Sequence, residues 1–145
     1  MPRIIHRAAA CLLAAALAAP AAAETRATTG LWTLVCDGKK ECLVKPKTGF
    51  PMAIRLSDGY LLWHVENAAE ARIRVDDSKP VDMTCVPARC GIVNDGIAKE
   101  VFGELLAGQV VVFVVKQAGQ DWISTRLRLE GFKEVVQQGR DEMNR

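Results

Sequence analysis

Short runs of alternating apolar and polar residues recur along most of the chain. In LWTLVC every second residue from Trp32 to Cys36 is apolar, and in DWISTRLRL the inward set begins at Ile123 and ends at Leu129. A period of two residues is typical of strands with one buried face. Glycine, proline and aspartate between the runs supply turns. The pattern therefore predicts an all-β fold, a β-sandwich of the immunoglobulin-like class.

One segment breaks this rhythm. In NDGIAKEVFGELLAG the apolar residues recur at helical spacing, Asp95 is a candidate N-cap, and Gly108 follows as a stop. This pattern predicts one helix over residues 96–107. A second, short helical turn is predicted after Gly131.

The three tryptophans differ in their neighbours. Trp32 and Trp63 lie in step with apolar residues and are predicted to be in the core. Trp122 instead shares the outward set of its strand with Arg126 and Arg128. Tryptophan beside arginine is a composition that interfaces favour, so these three residues are the predicted binding surface, suited to an acidic protein or an anionic glycan. The alternative is an ordinary solvated sheet face, with Arg126 covering the Trp122 ring. The residues that would widen the patch, if their strand is adjacent, are Arg72 and Arg74.

The first 23 residues have the pattern of a secretory signal peptide. Arg3 and Arg7 precede an apolar run from Ala8 to Ala19, and small residues end at Ala23, where cleavage is expected. The run is too short to span a membrane, so no transmembrane segment is expected in the mature chain. Cys11 has no leucine three residues before it, which disfavours a lipoprotein. The predicted location is periplasmic, secreted or outer-membrane associated.

One domain is expected after cleavage, over residues 30–136, between a flexible N-terminus at 24–29 and a polar tail at 137–145. The full chain has 19 basic and 17 acidic side chains. Loss of the two leader arginines leaves 17 of each, so the net charge falls from +2 to 0. A neutral domain gives no reason to expect a nucleic-acid partner.

Four cysteines remain after cleavage, and an even count in an exported chain indicates disulfides. Zinc would need tighter ligand spacing, and His64 is the only histidine outside the leader. Neither cysteine pair forms the Cys-x-x-Cys motif of thioredoxin-like enzymes. No metal or other cofactor is therefore expected. The predicted disulfide cysteines are Cys36, Cys42, Cys85 and Cys90.

Their pairing is only partly fixed by the sequence. Four cysteines allow three connectivities. The turn residues Asp37 and Gly38 favour a bond between Cys36 and Cys42, which leaves Cys85 to pair with Cys90. A cross-connection, such as Cys36 to Cys90, stays open.

Other side chains that could carry chemistry have simpler explanations. Catalysis by His64 would need a serine nucleophile, and the chain has no Gly-x-Ser-x-Gly motif. The aspartates around Lys79 and Pro80 lack the spacing of a calcium loop and fit a turn better. Two glutamates on the predicted helix fit a solvated face. No catalytic residue is predicted. The residues considered are His64 with Ser57, Ser78 or Ser124, then Asp76, Asp77 and Asp82, then Glu100 and Glu104.

The order of several short motifs resembles a known family. Trp32 precedes the first two cysteines, IRVDD precedes CVPARCG, and ELLAGQ, an apolar strand and LRLEGF follow. This order, from about Leu31 to Phe132, resembles the invasion-associated locus B family of bacterial envelope proteins. The resemblance implies a small, disulfide-bonded β-sandwich in the periplasm or at the outer membrane, with no established catalytic residues. The chain departs from the family pattern where Arg89-Cys90-Gly91 replaces the usual Gly-Cys, and the segment between Cys42 and Ile73 is short.

The function implied by this resemblance is binding at the envelope, by a protein that is not an enzyme. The family takes its name from host-cell invasion, although it also occurs in bacteria that invade nothing. The alternative is a periplasmic thiol–disulfide exchange enzyme that uses one cysteine pair. The spacings Cys-x5-Cys and Cys-x4-Cys suit structural disulfides better than a reactive pair.

We expect the exported protein to begin at Glu24, because the small residues that signal peptidase requires end at Ala23. N-terminal sequencing of the exported protein tests this. A chain that begins at Met1, or at a lipidated Cys11, would contradict it.

Overall fold

The structure is a computed structural model that describes residues 25–38 and 40–145. The predicted signal peptide lies outside these residues. Ten strands and two helices are described, and neither helix is long and apolar enough to cross a membrane. The strands are β1 (Thr25–Thr29), β2 (Trp32–Cys36), β3 (Cys42–Pro46), β4 (Met52–Arg55), β5 (Tyr60–His64), β6 (Ala68–Val75), β7 (Val81–Val86), β8 (Arg89–Gly91), β9 (Val110–Gln117) and β10 (Trp122–Arg128). The helices are α1 (Asp95–Ala107) and α2 (Phe132–Met143).

All strand pairs are antiparallel, in the order β1-β2-β3-β4-β5-β8-β7-β6-β9-β10. The two halves of the sheet are joined by β7, whose first residues pair with β6 and whose last residues pair with β8. The sheet curls so that its ends approach each other. The Trp32 indole Nε1 donates to the carbonyl of Arg128 at 3.1 Å, and the Leu31 amide donates to the carbonyl of Glu130 at 3.0 Å. The predicted all-β fold is therefore confirmed, with both halves facing one core.

Large apolar side chains fill the inside of the curl. Trp32 packs edge-on against Phe132 with ring centroids 5.0 Å apart, and Trp63 packs against Phe113 at 5.2 Å. Both tryptophans are buried, as their apolar neighbours predicted. Helix α2 lies against β1, β2 and β3, and α1 contacts α2 and β6. The helices thus cover the inner face that the strands leave open.

Both disulfides form as the turn residues favoured. Cys36 bonds Cys42, with a Cα–Cα distance of 4.0 Å, and Cys85 bonds Cys90, with a distance of 4.1 Å. Each pair lies directly opposite across a hairpin. The next pair along the first hairpin, Asp37 and Glu41, is hydrogen bonded, so the cysteines occupy the closer, non-hydrogen-bonded position. Such short loops give each bond about 2 kcal/mol of stabilisation.

Both ends of the domain differ from the prediction. The N-terminus predicted to be flexible forms β1, which pairs with β2 along its whole length. The predicted polar tail at 137–145 lies largely within α2. That helix is amphipathic, since Phe132, Val135, Val136 and Gly139 recur at helical spacing and are buried. The sequence predicts only a short helical turn here, because the buried stripe of α2 is narrow and contains a glycine.

The predicted α1 is confirmed, with a different cap. The helix begins at Asp95, but the N-cap is Asn94, whose side-chain oxygen accepts from the amide of Ile97 at 3.1 Å. The side-chain oxygen of an N-cap satisfies a backbone amide that has no partner within the helix. Asp95 then lies in the first turn, where a negative charge is favourable.

Two glycine turns meet where the curl closes. Gly30 and Gly131 have φ angles of +57° and +85°. A Cβ atom on Gly131 would lie 2.3 Å from the carbonyl oxygen of Thr29, and one on Gly30 would lie 2.4 Å from that of Glu130. Both positions therefore require glycine, for backbone conformation and for space.

We expect Gly131→Ala to destabilise the protein by several kcal/mol, since it adds a backbone clash to the cost of a left-handed residue, which is about 1–2 kcal/mol. Gly119→Ala is the matched control, because Gly119 has a φ of +74° but nothing within 4 Å of its Cβ position. Urea unfolding of both variants measures the difference. Equal losses of stability would contradict the close approach of the two turns.

Candidate binding surface

The outer face of β9 is apolar, although it points away from the core. Val111, Phe113 and Val115 face inward and are buried. The alternate residues Val110, Val112 and Val114 lie on the opposite face. The structure covers its inner face with the core and leaves a valine strip outside.

Arginines flank this strip on both sides. Arg74 of β6 and Arg126 of β10 are both in register with Val112. Val112 is buried despite its outward position, as expected where long arginine stems cover apolar surface. We call this surface the arginine-flanked strip. Its members are Arg72, Arg74, Val110, Val112, Val114, Trp122, Arg126 and Arg128.

Trp122 lies at one end of the strip and is 40% exposed. The guanidinium of Arg72 lies over its ring, 5.0 Å from the centroid. Two carboxylates hold this guanidinium: its Nε is 3.0 Å from Asp82 Oδ1 and its Nη2 is 3.7 Å from Glu70 Oε2. The suggestion that Arg126 covers Trp122 is therefore wrong, because the covering arginine reaches across β9 from β6. The strand of Arg72 and Arg74 is separated from β10 by β9, yet it widens the patch.

Two arginines beside Val112 have no ionic partner. Among the residues that the structure describes, neither Arg74 nor Arg126 makes an ion pair or a side-chain hydrogen bond, whereas Arg128 lies 3.3 Å from a Glu130 oxygen. Arg74 and Arg126 line a groove of about 320 Å³. Arg72, Arg74 and Trp122 line an adjoining groove of about 400 Å³. The smaller groove is also lined by Asp76 and Asp77, whereas no carboxylate lines the larger one. Guanidinium groups bind carboxylates through paired hydrogen bonds, so the larger groove suits anions.

The side chain of Asp76 holds a turn near this surface. Both Asp76 side-chain oxygens accept from the backbone amide of Gln109, at 3.1 and 3.2 Å, and Oδ1 also accepts from Val110 at 3.0 Å. Asp76 has a φ of +47°. Within residues 25–38 and 40–145 no cluster of three or more potential metal ligands occurs. The hydrogen bonds of Asp76 support the turn as its role, and Asp82 is paired with Arg72.

His64 lies far along the sheet from Ser124, one of the three serines considered as a nucleophile beside it. Four strands separate β5, which carries His64, from β10. His64 instead lines a separate basic groove of about 620 Å³ with Lys45, Arg55 and Arg89, which we call the second groove. The sequence alone does not indicate this groove, because its residues come from four strands. The apolar residues between the charges are Leu43, Ala53 and Leu62.

One cation of this second groove is already paired. The Nε of Arg55 donates to Asp58 Oδ1 at 3.0 Å. This hydrogen bond lowers the pKa of Asp58 and raises the pKa of Arg55. Lys45 and Arg89 have no ion pair among the residues described, so the groove keeps two cations for an anion.

The disulfide sulfurs are poorly placed for exchange chemistry. Cys36, Cys42 and Cys90 are at most 1% exposed, and only Cys85 is partly exposed. An exchanging cysteine must be reached by an attacking thiolate. The first pair is therefore closed to a second protein, and the second pair presents one sulfur at most.

Comparison with solved structures finds the crystal structure of invasion associated protein B from Bartonella henselae, with 22% sequence identity and a TM-score of 0.61. The match covers 83% of this chain and 99% of that chain. A search of protein-family models finds no match, and neither does a search of curated sequences. The structural match confirms the fold expected from the order of the sequence motifs.

We expect Arg72→Ala to increase acrylamide quenching of tryptophan fluorescence and to shift the emission to the red, because it uncovers Trp122. The same change at Arg126 is the matched control and is expected to have little effect, since Arg72 is the arginine over the ring. Trp32 and Trp63 are buried and contribute a constant background. A larger effect from Arg126→Ala would contradict the assigned contact.

Proposed function

We propose that this chain is an exported binding domain of the invasion-associated locus B type, without enzymatic activity, and that it binds an acidic protein through the arginine-flanked strip. The observation that carries the proposal is the pair of unpartnered arginines on either side of Val112, next to the exposed ring of Trp122. The fold shared with the Bartonella henselae protein supports the type of domain.

The signal-peptide pattern and the two disulfides support an extracytoplasmic location. Disulfides persist where the surroundings are oxidising, as in the periplasm or outside the cell. We propose the periplasm or the outer surface of the envelope as the place where the domain acts. A link to host-cell interaction comes only from the name of the related protein.

A binding role agrees better with the chemistry of the described residues than an enzymatic one. Four strands separate His64 from Ser124, and the first disulfide is buried. A thiol–disulfide exchanger, the alternative function, needs an accessible sulfur of low pKa near a positive charge or a helix N-terminus. Cys85 and Cys90 lie on strands β7 and β8 rather than at a helix N-terminus, and Cys90, next to Arg89, is fully buried.

An acidic protein fits the strip better than an anionic glycan. Protein interfaces combine a desolvated apolar centre with tryptophan and arginine, and the valines of β9 supply such a centre. Arg74 and Arg126 can each bind a carboxylate without first breaking an ion pair. A glycan that bound through sulfate or carboxylate groups alone would make little use of Val112 and Val114.

The variant Trp122→Ala, Arg126→Ala tests the surface by capture from envelope extracts. We expect at least a tenfold loss of captured partner relative to wild type, the range typical of interface hot spots. The control Lys45→Ala, Arg89→Ala removes two cations from the second groove, and it should capture normally. Melting temperatures of both variants check that the fold is intact.

Protease treatment of the extract separates the two partner classes. We expect the treatment to abolish capture, because the partner is a protein. Capture that survives protease but not glycosidase would replace the acidic protein with a glycan. Wild-type capture by the Trp122→Ala, Arg126→Ala variant, or loss with the control variant alone, would exclude the arginine-flanked strip.

A further inference from the structure

Strand β10 is an open edge of the sheet. It stands last in the strand order and pairs with β9 alone. Sheet edges are commonly protected by charged side chains, proline, bulges or a covering loop. The charged residues of β10, Arg126 and Arg128, lie in its C-terminal half, where Trp32 and Thr48 are neighbours. The first half, from Trp122 to Thr125, has no charge and no proline, and its register with β9 is unbroken.

The hydrogen-bonding groups that face this open edge can be identified. The amide of Leu129 donates to Gln109 of the neighbouring segment at 2.8 Å, and the N–H and C=O of alternate strand residues point to opposite sides. The backbone N–H and C=O groups of Ile123, Thr125 and Leu127 therefore form hydrogen bonds with β9. The backbone groups that point to the open edge are those of Trp122, Ser124, Arg126 and Arg128. The carbonyl of Arg128 already accepts from the indole N–H of Trp32.

Apolar side chains are also left uncovered on this strand. Ile123 was predicted to be in the core, but it is 49% exposed. It lies on the core side of β10, where no further strand covers it. Trp122 beside it is 40% exposed. The residues of the described chain that are large, apolar and exposed are Val86, Val93, Ile97, Trp122 and Ile123.

We propose that a second copy of this chain pairs with β10 in antiparallel fashion, about a two-fold axis at Ser124. Ser124 then lies opposite the partner's Ser124, and Trp122 lies opposite the partner's Arg126. The edge-facing N–H and C=O groups of three residues per copy all find partners, which gives six hydrogen bonds. Ile123 lies opposite the partner's Thr125 on the core side. The pairing is self-complementary, as a two-fold interface requires.

This register is more favourable than those with the axis at Thr125 or at Arg126. With the axis at Ser124, the unpartnered guanidinium of Arg126 meets the partner's Trp122, which is favourable because cations are attracted to aromatic faces. An axis at Arg126 would place two arginines directly opposite each other, which is destabilising. An axis at Thr125 would require the carbonyl of Arg128, which already accepts from Trp32.

The pairing joins two outer faces into one. Each copy contributes its own arginine-flanked strip, and the two strips lie side by side on one continuous sheet. A partner with two acidic segments would then bind both copies with greater avidity. The dimer itself needs no such partner, so it is tested with purified protein.

Sedimentation velocity of the purified mature chain measures the association. We expect dimers at protein concentrations on the order of 0.1 mM, since small interfaces are weak. Ser124→Lys places two like charges at the axis and should weaken association at least tenfold. Ser78→Lys makes the same change away from the edge and should leave association unchanged.

A cross-link tests the register independently. Opposite residues of a hydrogen-bonded antiparallel pair have Cα atoms about 5.5 Å apart, within the range of a disulfide. Ser124→Cys should therefore give a covalent dimer under mild oxidation, whereas Lys116→Cys, on the adjacent strand, should not. A monomer at all concentrations without this cross-link, a dimer insensitive to Ser124→Lys, or open-ended oligomers that pair β10 with β1 would overturn the proposal.

Discussion

The structure depends on the closure of the curled sheet around Trp32. This side chain is buried, its indole N–H bonds the carbonyl at the end of β10, and its ring packs against Phe132 at the start of α2. One residue thus joins an early strand to the last strand and the last helix. A buried indole N–H without a partner would be costly, so the hydrogen bond fixes where the sheet closes. The glycines at positions 30 and 131 allow the two backbones to approach closely enough.

Closure determines which surfaces remain outside. The inner faces of β2 to β10 share one core with the two helices, so the outer face is what the domain can present to partners. Most of this face is polar, but two regions combine apolar residues with cations: the arginine-flanked strip and the groove that contains His64. The two regions belong to different strands of the curved sheet and can serve as separate surfaces.

The disulfides reinforce hairpins that already pair. Each links directly opposite residues across a short connection, so each limits the unfolded chain only locally. Both lie in the half of the sheet that contains β2, β3 and β8, and the half formed by β6, β9 and β10 has no disulfide. Such bonds persist where the environment is oxidising.

Local patterns in the sequence were enough to predict most of the strands and α1, and they favoured the observed disulfide pairing without excluding the others. Each of these follows from neighbours within about ten residues: a period of two, a helical stripe, or a turn between two cysteines. The buried positions of Trp32 and Trp63 follow from the same alternation. The order of motifs was also sufficient for the fold, which the structural match confirms.

Only the tertiary structure decided features that depend on distant neighbours. The residues of β1 carry no apolar pattern and form a strand because β2 pairs with them. Alternation correctly assigned Ile123 to the core side of β10, yet that side is uncovered because the strand is the last of the sheet. The contact of Arg72 with Trp122 depends on the register of β6, β9 and β10, which joins residues fifty positions apart. A sequence specifies each strand locally, but strand order and register set the surface.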